Sequence, residues 1–219
     1  MKNFIVAFLL FTFITVMAVA TFAEEKTSQD KDILLQQPGD SIEMPLIKAL
    51  KNRKSTRDFK NEEIGIDKLS AILWAGFGIN RENGKHTAPM AFEKDFIKLY
   101  VYSNSGVYLY MPAENKLKWI SDEKAKARIV KQSQAADAAY VILITGDPSK
   151  MPFYLKKDQK ETMVHANSGC VAQNIYLMAS ALNLGTCMMG YFNEKGIKET
   201  ITLTKNEIPL YIMPVGFVK

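Results

Sequence analysis

Residues 162–182 carry no Asp, Glu, Lys or Arg, and small side chains recur through them at Ala166, Gly169, Cys170, Ala172, Ala179 and Ala181. A helix without a charged face must be covered on most of its sides. A chain of 219 residues has the length of one domain, and part of the cover is therefore expected from a second copy of the chain. Asn183, Leu184 and Gly185 are expected to cap the end of this helix.

Around that helix the pattern alternates between two periods. Ile97, Leu99 and Val101 interleave with Lys98, Tyr100 and Tyr102, which predicts a strand. Asn104-Ser105-Gly106 turns the chain into residues 107–110, and residues 112–115 turn it again into 117–120, a three-stranded antiparallel meander. Residues 139–145 are apolar and rich in β-branched side chains, and Gly146-Asp147-Pro148 closes them, as in a central strand. Residues 210–213 read as a last strand. Helices are expected over 45–50, over a segment capped by Asp67 in which Leu69, Ile72, Leu73 and Phe77 follow the helical period until Gly76 and Gly78, and as a charged surface helix over 122–135. Helices with a mainly antiparallel sheet make the chain α+β.

The first residues are not expected to join the fold. Met1-Lys2-Asn3 is a basic start, residues 4–19 are apolar, and Ala18-Val19-Ala20 and Thr21-Phe22-Ala23 both offer a signal-peptidase pattern. Residues 1–23 therefore read as a signal peptide for export to the periplasm or the outside, with a retained anchor as the alternative. Residues 24–40 read as a polar, mobile leader and 41–219 as the domain, with no membrane contact after cleavage. The net charge of +5 is spread among acidic residues without a basic run, which argues against nucleic acid as a partner. Two cysteines, Cys170 and Cys187, and two histidines, His86 and His165, give no spacing for a metal site, and the cysteines are expected to be free thiols. GxSxG, GxGxxG and GxxxxGK[ST] are absent.

In Arg53-Lys54-Ser55-Thr56-Arg57-Asp58-Phe59 the residues Arg53, Ser55 and Arg57 alternate, and an extended backbone turns all three the same way. Two guanidinium groups and a hydroxyl suit a phosphate and a polar carbonyl; a solvated basic loop is the other reading these residues leave open.

This segment resembles the R-[RHK]-S-x-R/K-x-F opening of the nitroreductase family of FMN-dependent enzymes, and further segments match that family in order. Gly84-Lys85-His86-Thr87-Ala88-Pro89-Met90-Ala91 is similar to its R-x-x-P-S-[AG] loop. Gly169 with Gln173-Asn174-Ile175-Tyr176-Leu177-Met178-Ala179 is similar to its G-x-x-x-Q-N-hydrophobic-x-A helix. Leu184-Gly185 through Gly190-Tyr191-Phe192 is similar to its L-G-x-x-x-x-G-x-F turn, and Pro214-Val215-Gly216 with Lys219 fits its close. The meander resembles the branch that includes peptide-azoline oxidases. Family members usually carry Ser where this chain has Met90.

The resemblance implies a three-layer α-β-α sandwich that works as a homodimer with FMN at the interface. It implies an oxidoreductase in which the flavin, not a catalytic side chain, carries hydride or electrons through N5, from a donor such as NAD(P)H to a nitroaromatic, quinone, enone or similar acceptor. An exported flavin-binding protein without turnover is the alternative. By the same resemblance Arg53 and Ser55, with Lys54, would hold the phosphate and ribityl chain, and Arg57 the N1/O2 edge. Pro89, Met90 and Ala91 would line the ring from the other subunit, and Met189 and Gly190 would present N–H groups to N5 and O4. Lys219 would add charge at the phosphate, and Gln132 would touch the ring.

Overall fold

The computed structural model describes residues 31–39 and 42–219; the expected signal peptide and residues 24–30 of the leader lie outside them. The elements are β1 (Ile33–Leu34), α1 (Leu46–Asn52), α2 (Ile66–Phe77), β2 (Ile97–Tyr102), β3 (Val107–Met111), β4 (Lys116–Ser121), α3 (Lys126–Ile129), β5 (Tyr140–Gly146), α4 (Lys157–Ala181), β6 (Gly185–Thr186), α5 (Glu194–Thr200) and β7 (Ile208–Gly216). The strands form one sheet in the order β1-β4-β3-β2-β5-β7-β6, with antiparallel neighbours.

The period-two pattern places this sheet between two cores. Ile97, Leu99 and Val101 of β2, with Ile142 and Ile144 of β5, face Leu69, Ile72 and Leu73 of α2 and Val171, Ala172 and Ile175 of α4. Tyr100 and Tyr102, with Val141 and Leu143, face Ile129 of α3, Ile197 of α5 and Phe59. Helices on both faces give the expected three layers, and β5, buried on both sides, is central. The polar-looking alternates in β2 are covered as well. The hydroxyl of Tyr102 meets Thr200 Oγ1 at 2.9 Å, and that of Tyr100 donates to Glu207 at 3.0 Å. The Glu207 carboxylate also accepts from Lys98 Nζ and Thr145 Oγ1, each at 2.7 Å, and from Thr204 Oγ1 at 3.1 Å.

Four expectations need correction. Residues 33–35, expected in a mobile leader, belong to the fold, because Ile33 and Leu34 pair with Leu117 and Lys116 of β4 and Leu35 is buried. The second helix begins at Ile66 with Gly65 as its N-cap. Asp67 lies within the first turn, where its charge favours the positive end of the helix, and it is not the cap. The surface helix over 122–135 reduces to α3 and a separate 3-10 turn, Ser133–Asp137. Tertiary partners take its backbone: the Ile129 carbonyl accepts from Asn193 N–H at 2.9 Å and Val130 bridges to Phe192, while the buried side chain of Lys126 donates to Ala138 O. The long helix starts five residues earlier than expected, its added turn carrying the charges of residues 157–161. Past its last residue, Ala181, Asn183 turns the chain in the left-handed region at φ 57°, with Leu184 N–H on Ala179 O at 2.8 Å.

Candidate functional site

Arg53 closes α1 with an extended ψ of 124°, and the chain then runs along the sheet edge. Ser55 bridges in parallel to Thr186 of β6, and Thr56 N–H donates to Thr186 O at 2.9 Å. Gly185 permits this approach, since a Cβ there would lie 2.7 Å from Val218 and 3.1 Å from Thr56. Thr56 is buried, whereas Lys54, Ser55 and Arg57 are exposed and Arg53 is half-buried. None of the ion pairs among the described residues involves Arg53, Lys54 or Arg57. A row of cations without carboxylate partners, with a hydroxyl among them, is a donor set suited to a phosphate.

Tyr176 of α4 organises this edge, and the sequence reading did not single it out. The Arg53 guanidinium lies 5.2 Å from the centre of its ring, within cation–π range. Its hydroxyl stands 2.9 Å from Ser55 Oγ and accepts the Met188 N–H at 2.8 Å. The one available signal was a phenol on an apolar helix, because a buried Tyr O–H needs a partner.

The turn after β6 differs from expectation in one atom. Met189 is buried, and its N–H donates to Ile212 O at 2.9 Å while its carbonyl accepts from Ile212 at 3.0 Å. Met189 thus extends the sheet and cannot offer its N–H to a ligand. Gly190 is exposed, and no bond among the described residues engages its N–H. Gln132 is half-buried, two residues after the Val130 bridge to Phe192.

Lys219, expected at the phosphate, here meets two carboxylates. Its ammonium lies 3.1 Å from Asp58 Oδ1 and 3.2 Å from Asp137 Oδ2, and hydrogen bonds to Asp58 and then Asp137 raise its pKa. The cause is backbone pairing: Phe59 bridges to Val218 and Lys60 N–H donates to Phe217 O, which brings the chain end beside Asp58.

Pro89, Met90 and Ala91 stand apart from this edge. Pro89 and Met90 line a cavity of about 520 Å³ with Arg81, Lys85, His86 and Asp95, and none of residues 53–57 reaches it. The Ala91 N–H donates to Asn167 Oδ1 at 3.0 Å. Asn167 sits on α4 about 13 Å along the helix axis from Tyr176. Phe92 and Glu93 both adopt left-handed φ, 56° and 54°, and Phe92 is half-exposed. His86 anchors the loop from below, stacked on Phe77 at 3.9 Å, with Nδ1 at 2.9 Å from Phe77 O and Nε2 at 2.9 Å from Asp95. Within one chain, residues 53–57 with the 188–190 turn and the 89–91 loop thus stand as two separate groups.

The family model described as the nitroreductase family matches residues 50–217. A nitroreductase-like protein of Methanocaldococcus jannaschii is 32% identical over 195 residues, covering 84% of this chain and 97% of its own length. The crystal structure of a nitroreductase-like protein from Ralstonia eutropha JMP134 superposes with a TM-score of 0.74 at 26% identity, covering 86% of this chain and 90% of that one. Another from Desulfovibrio desulfuricans, solved in complex with FMN, matches with a TM-score of 0.59 at 19% identity over 80% of this chain and 87% of its own, a likeness of fold.

Proposed function

Because the chain belongs to the nitroreductase family, we propose that it is an exported, FMN-dependent oxidoreductase working as a homodimer. It would take hydride or electrons from a reduced donor such as NAD(P)H and pass them to a small organic acceptor, a nitroaromatic, quinone or enone. The observation that carries this reading is the row of Arg53, Lys54 and Arg57 around Ser55, without carboxylate partners among the described residues. Bound FMN would supply hydride and electron transfer at N5. The chain's own groups would do the rest. Arg53, Lys54 and Ser55 would grip the phosphate and ribityl chain, Arg57 would place positive charge at the N1/O2 edge, and the Gly190 N–H would face the ring as a fixed donor.

A second copy enters through the resemblance, in which the 89–91 loop lines the ring from the other subunit, and within one chain Pro89 and Met90 line a cavity that none of residues 53–57 reaches. Exposed apolar surface supports the pairing: Leu46 and Ile47 are 64% and 62% exposed, beside a groove lined by Trp74, Leu177 and Met178. The alternative of flavin binding without turnover is favoured by Met90 and by the engaged N–H groups of Met189 and Ala91.

An absorbance spectrum of the purified protein, before and after anaerobic NADPH, separates these readings. Bands near the flavin maxima that bleach with NADPH, and FMN released on denaturation, are expected. Bound FMN that no reductant of this kind bleaches would favour the binding protein, and a colourless protein that takes up no FMN would overturn both.

A further inference from the structure

The Tyr176 hydroxyl has two hydrogen-bond neighbours among the described residues, the Met188 N–H and Ser55 Oγ. A backbone N–H only donates, so the phenol oxygen accepts from Met188. The phenol carries a single hydrogen, and at 8% exposure Tyr176 has little access to water. A buried donor left without an acceptor costs more than a typical hydrogen bond contributes. The acceptor in reach is Ser55 Oγ. With its oxygen occupied in this way, exposed Ser55 turns its own hydrogen away from the helix, on the edge that carries Arg53, Lys54 and Arg57.

We infer that Tyr176 is a positioning residue: its hydroxyl fixes Ser55 as an outward hydrogen-bond donor to the phosphate of bound FMN, and ties that donor to the turn that carries Gly190. The inference rests on the FMN reading above and goes beyond it by assigning the proton that sets the donor's direction. Arg53 packs on the ring and not on the hydroxyl, so Tyr176→Phe keeps the guanidinium's support and removes the O–H alone.

The test is a titration of the full-length protein, stripped of flavin, with FMN and with riboflavin, which lacks the phosphate, followed by quenching of flavin fluorescence. Tyr176→Phe should raise the Kd for FMN on the order of tenfold, the scale of one hydrogen bond to a charged group. Riboflavin affinity should stay within about twofold of the parent, well under one hydrogen bond's worth. In a Ser55→Ala background, Tyr176→Phe should weaken FMN binding no further, because the hydroxyl acts through Ser55. A merely structural role would weaken both flavins alike and add to Ser55→Ala. Unchanged FMN affinity, an equal loss for FMN and riboflavin, or additivity with Ser55→Ala each overturns the inference while leaving the FMN reading standing. Failure of the parent protein to bind either flavin overturns both. If Tyr176→Phe does not fold, as judged by circular dichroism, Ser55→Ala decides: a loss confined to FMN supports the inference, and a loss shared by riboflavin overturns it.

Discussion

Arg53 and Arg57 lie four residues apart on one edge, yet their surroundings differ. Arg53 is half-buried over Tyr176, whereas Arg57 is exposed without an acidic partner among the described residues. A phosphate carries the same charge in both redox states, and so Arg53→Ala should raise the Kd for FMN and leave its potential nearly unchanged. Charge at the N1/O2 edge grows only on reduction, and Arg57→Ala should lower the potential. A hydrogen bond to a charged group contributes roughly 1.5–3 kcal/mol, and about 30 mV corresponds to ~1.4 kcal/mol for two electrons, which gives a fall of a few tens of millivolts. Dye-equilibration potentiometry with excess FMN reads both, and a shift for Arg53→Ala alone would reverse the placement of the flavin. Glu207 governs stability at the same scale. Burial pushes its pKa up, but hydrogen bonds from Lys98 and Thr145, Lys98's charge, and the bond from Tyr100 outweigh it and hold the carboxyl below its ordinary 4.5. A depressed carboxyl contributes stability above its unfolded value and loses it as pH falls through the folded one, so the protein should weaken progressively below about pH 4.5. Glu207→Gln should cost about 3 kcal/mol at pH 7, near the lower end for a broken buried pair because Lys98 is 31% exposed. Urea unfolding at pH 7 and at pH 4 checks both points, since the variant should lose less than the parent between them.

In α5 there is no room for a side chain at Gly196. A Cβ there would run into the backbone carbonyl of Arg128 in α3, which also accepts from Asn193 Nδ2 at 2.8 Å. Gly196→Ala gains about 1 kcal/mol of helix propensity but must push two helices apart. It should therefore destabilise the protein by about 1–3 kcal/mol and loosen the Phe192–Val130 bridge beside the 188–190 turn. Thermal unfolding with and without FMN would register this, and a raised Tm would refute the close contact. The pair α3 and α5 also marks where the sequence was hard to read. In β2, β3, β5 and α4 the apolar residues themselves mark the element, and these elements stand where the sequence pattern placed them, α4 with one added turn at its start. Residues 122–135 look like a charged helix, but Asn193 and Phe192, far away in sequence, take over the backbone at Ile129 and Val130, which no local pattern announces. The site divides in the same way. The basic alternation around Ser55 is local and legible, whereas the engagement of Met189 by Ile212 and of Lys219 by Asp58 and Asp137 depends on residues far away in sequence.

Over the whole molecule, the charge-poor helix decides what a second copy can cover. Ala172 and Ala179 are each 1% exposed within the chain's own core, as is most of the face they share with Val164, Val171 and Ile175. A large residue there would unfold the chain and say nothing about assembly. The opposite face is open: Ala166 and Gln173 are exposed, and a Cβ on Gly169 would meet nothing within 4 Å. Gly169→Arg is thus the informative change. In an isolated chain the new side chain points into empty space, and replacing a mid-helix glycine should raise helix stability by about 1 kcal/mol. Against a second copy the same guanidinium would be buried without a partner, at a cost of several kcal/mol that an interface of small residues cannot absorb. The variant should keep the parent's circular dichroism and a Tm no lower than that of the dissociated parent, run as a monomer in light scattering, and lose bound FMN along with the dimer, because the 89–91 loop and residues 53–57 of one chain do not meet. A folded monomer that retains full flavin occupancy would show that one chain completes the site. A dimer that persists would move the interface away from this face of α4.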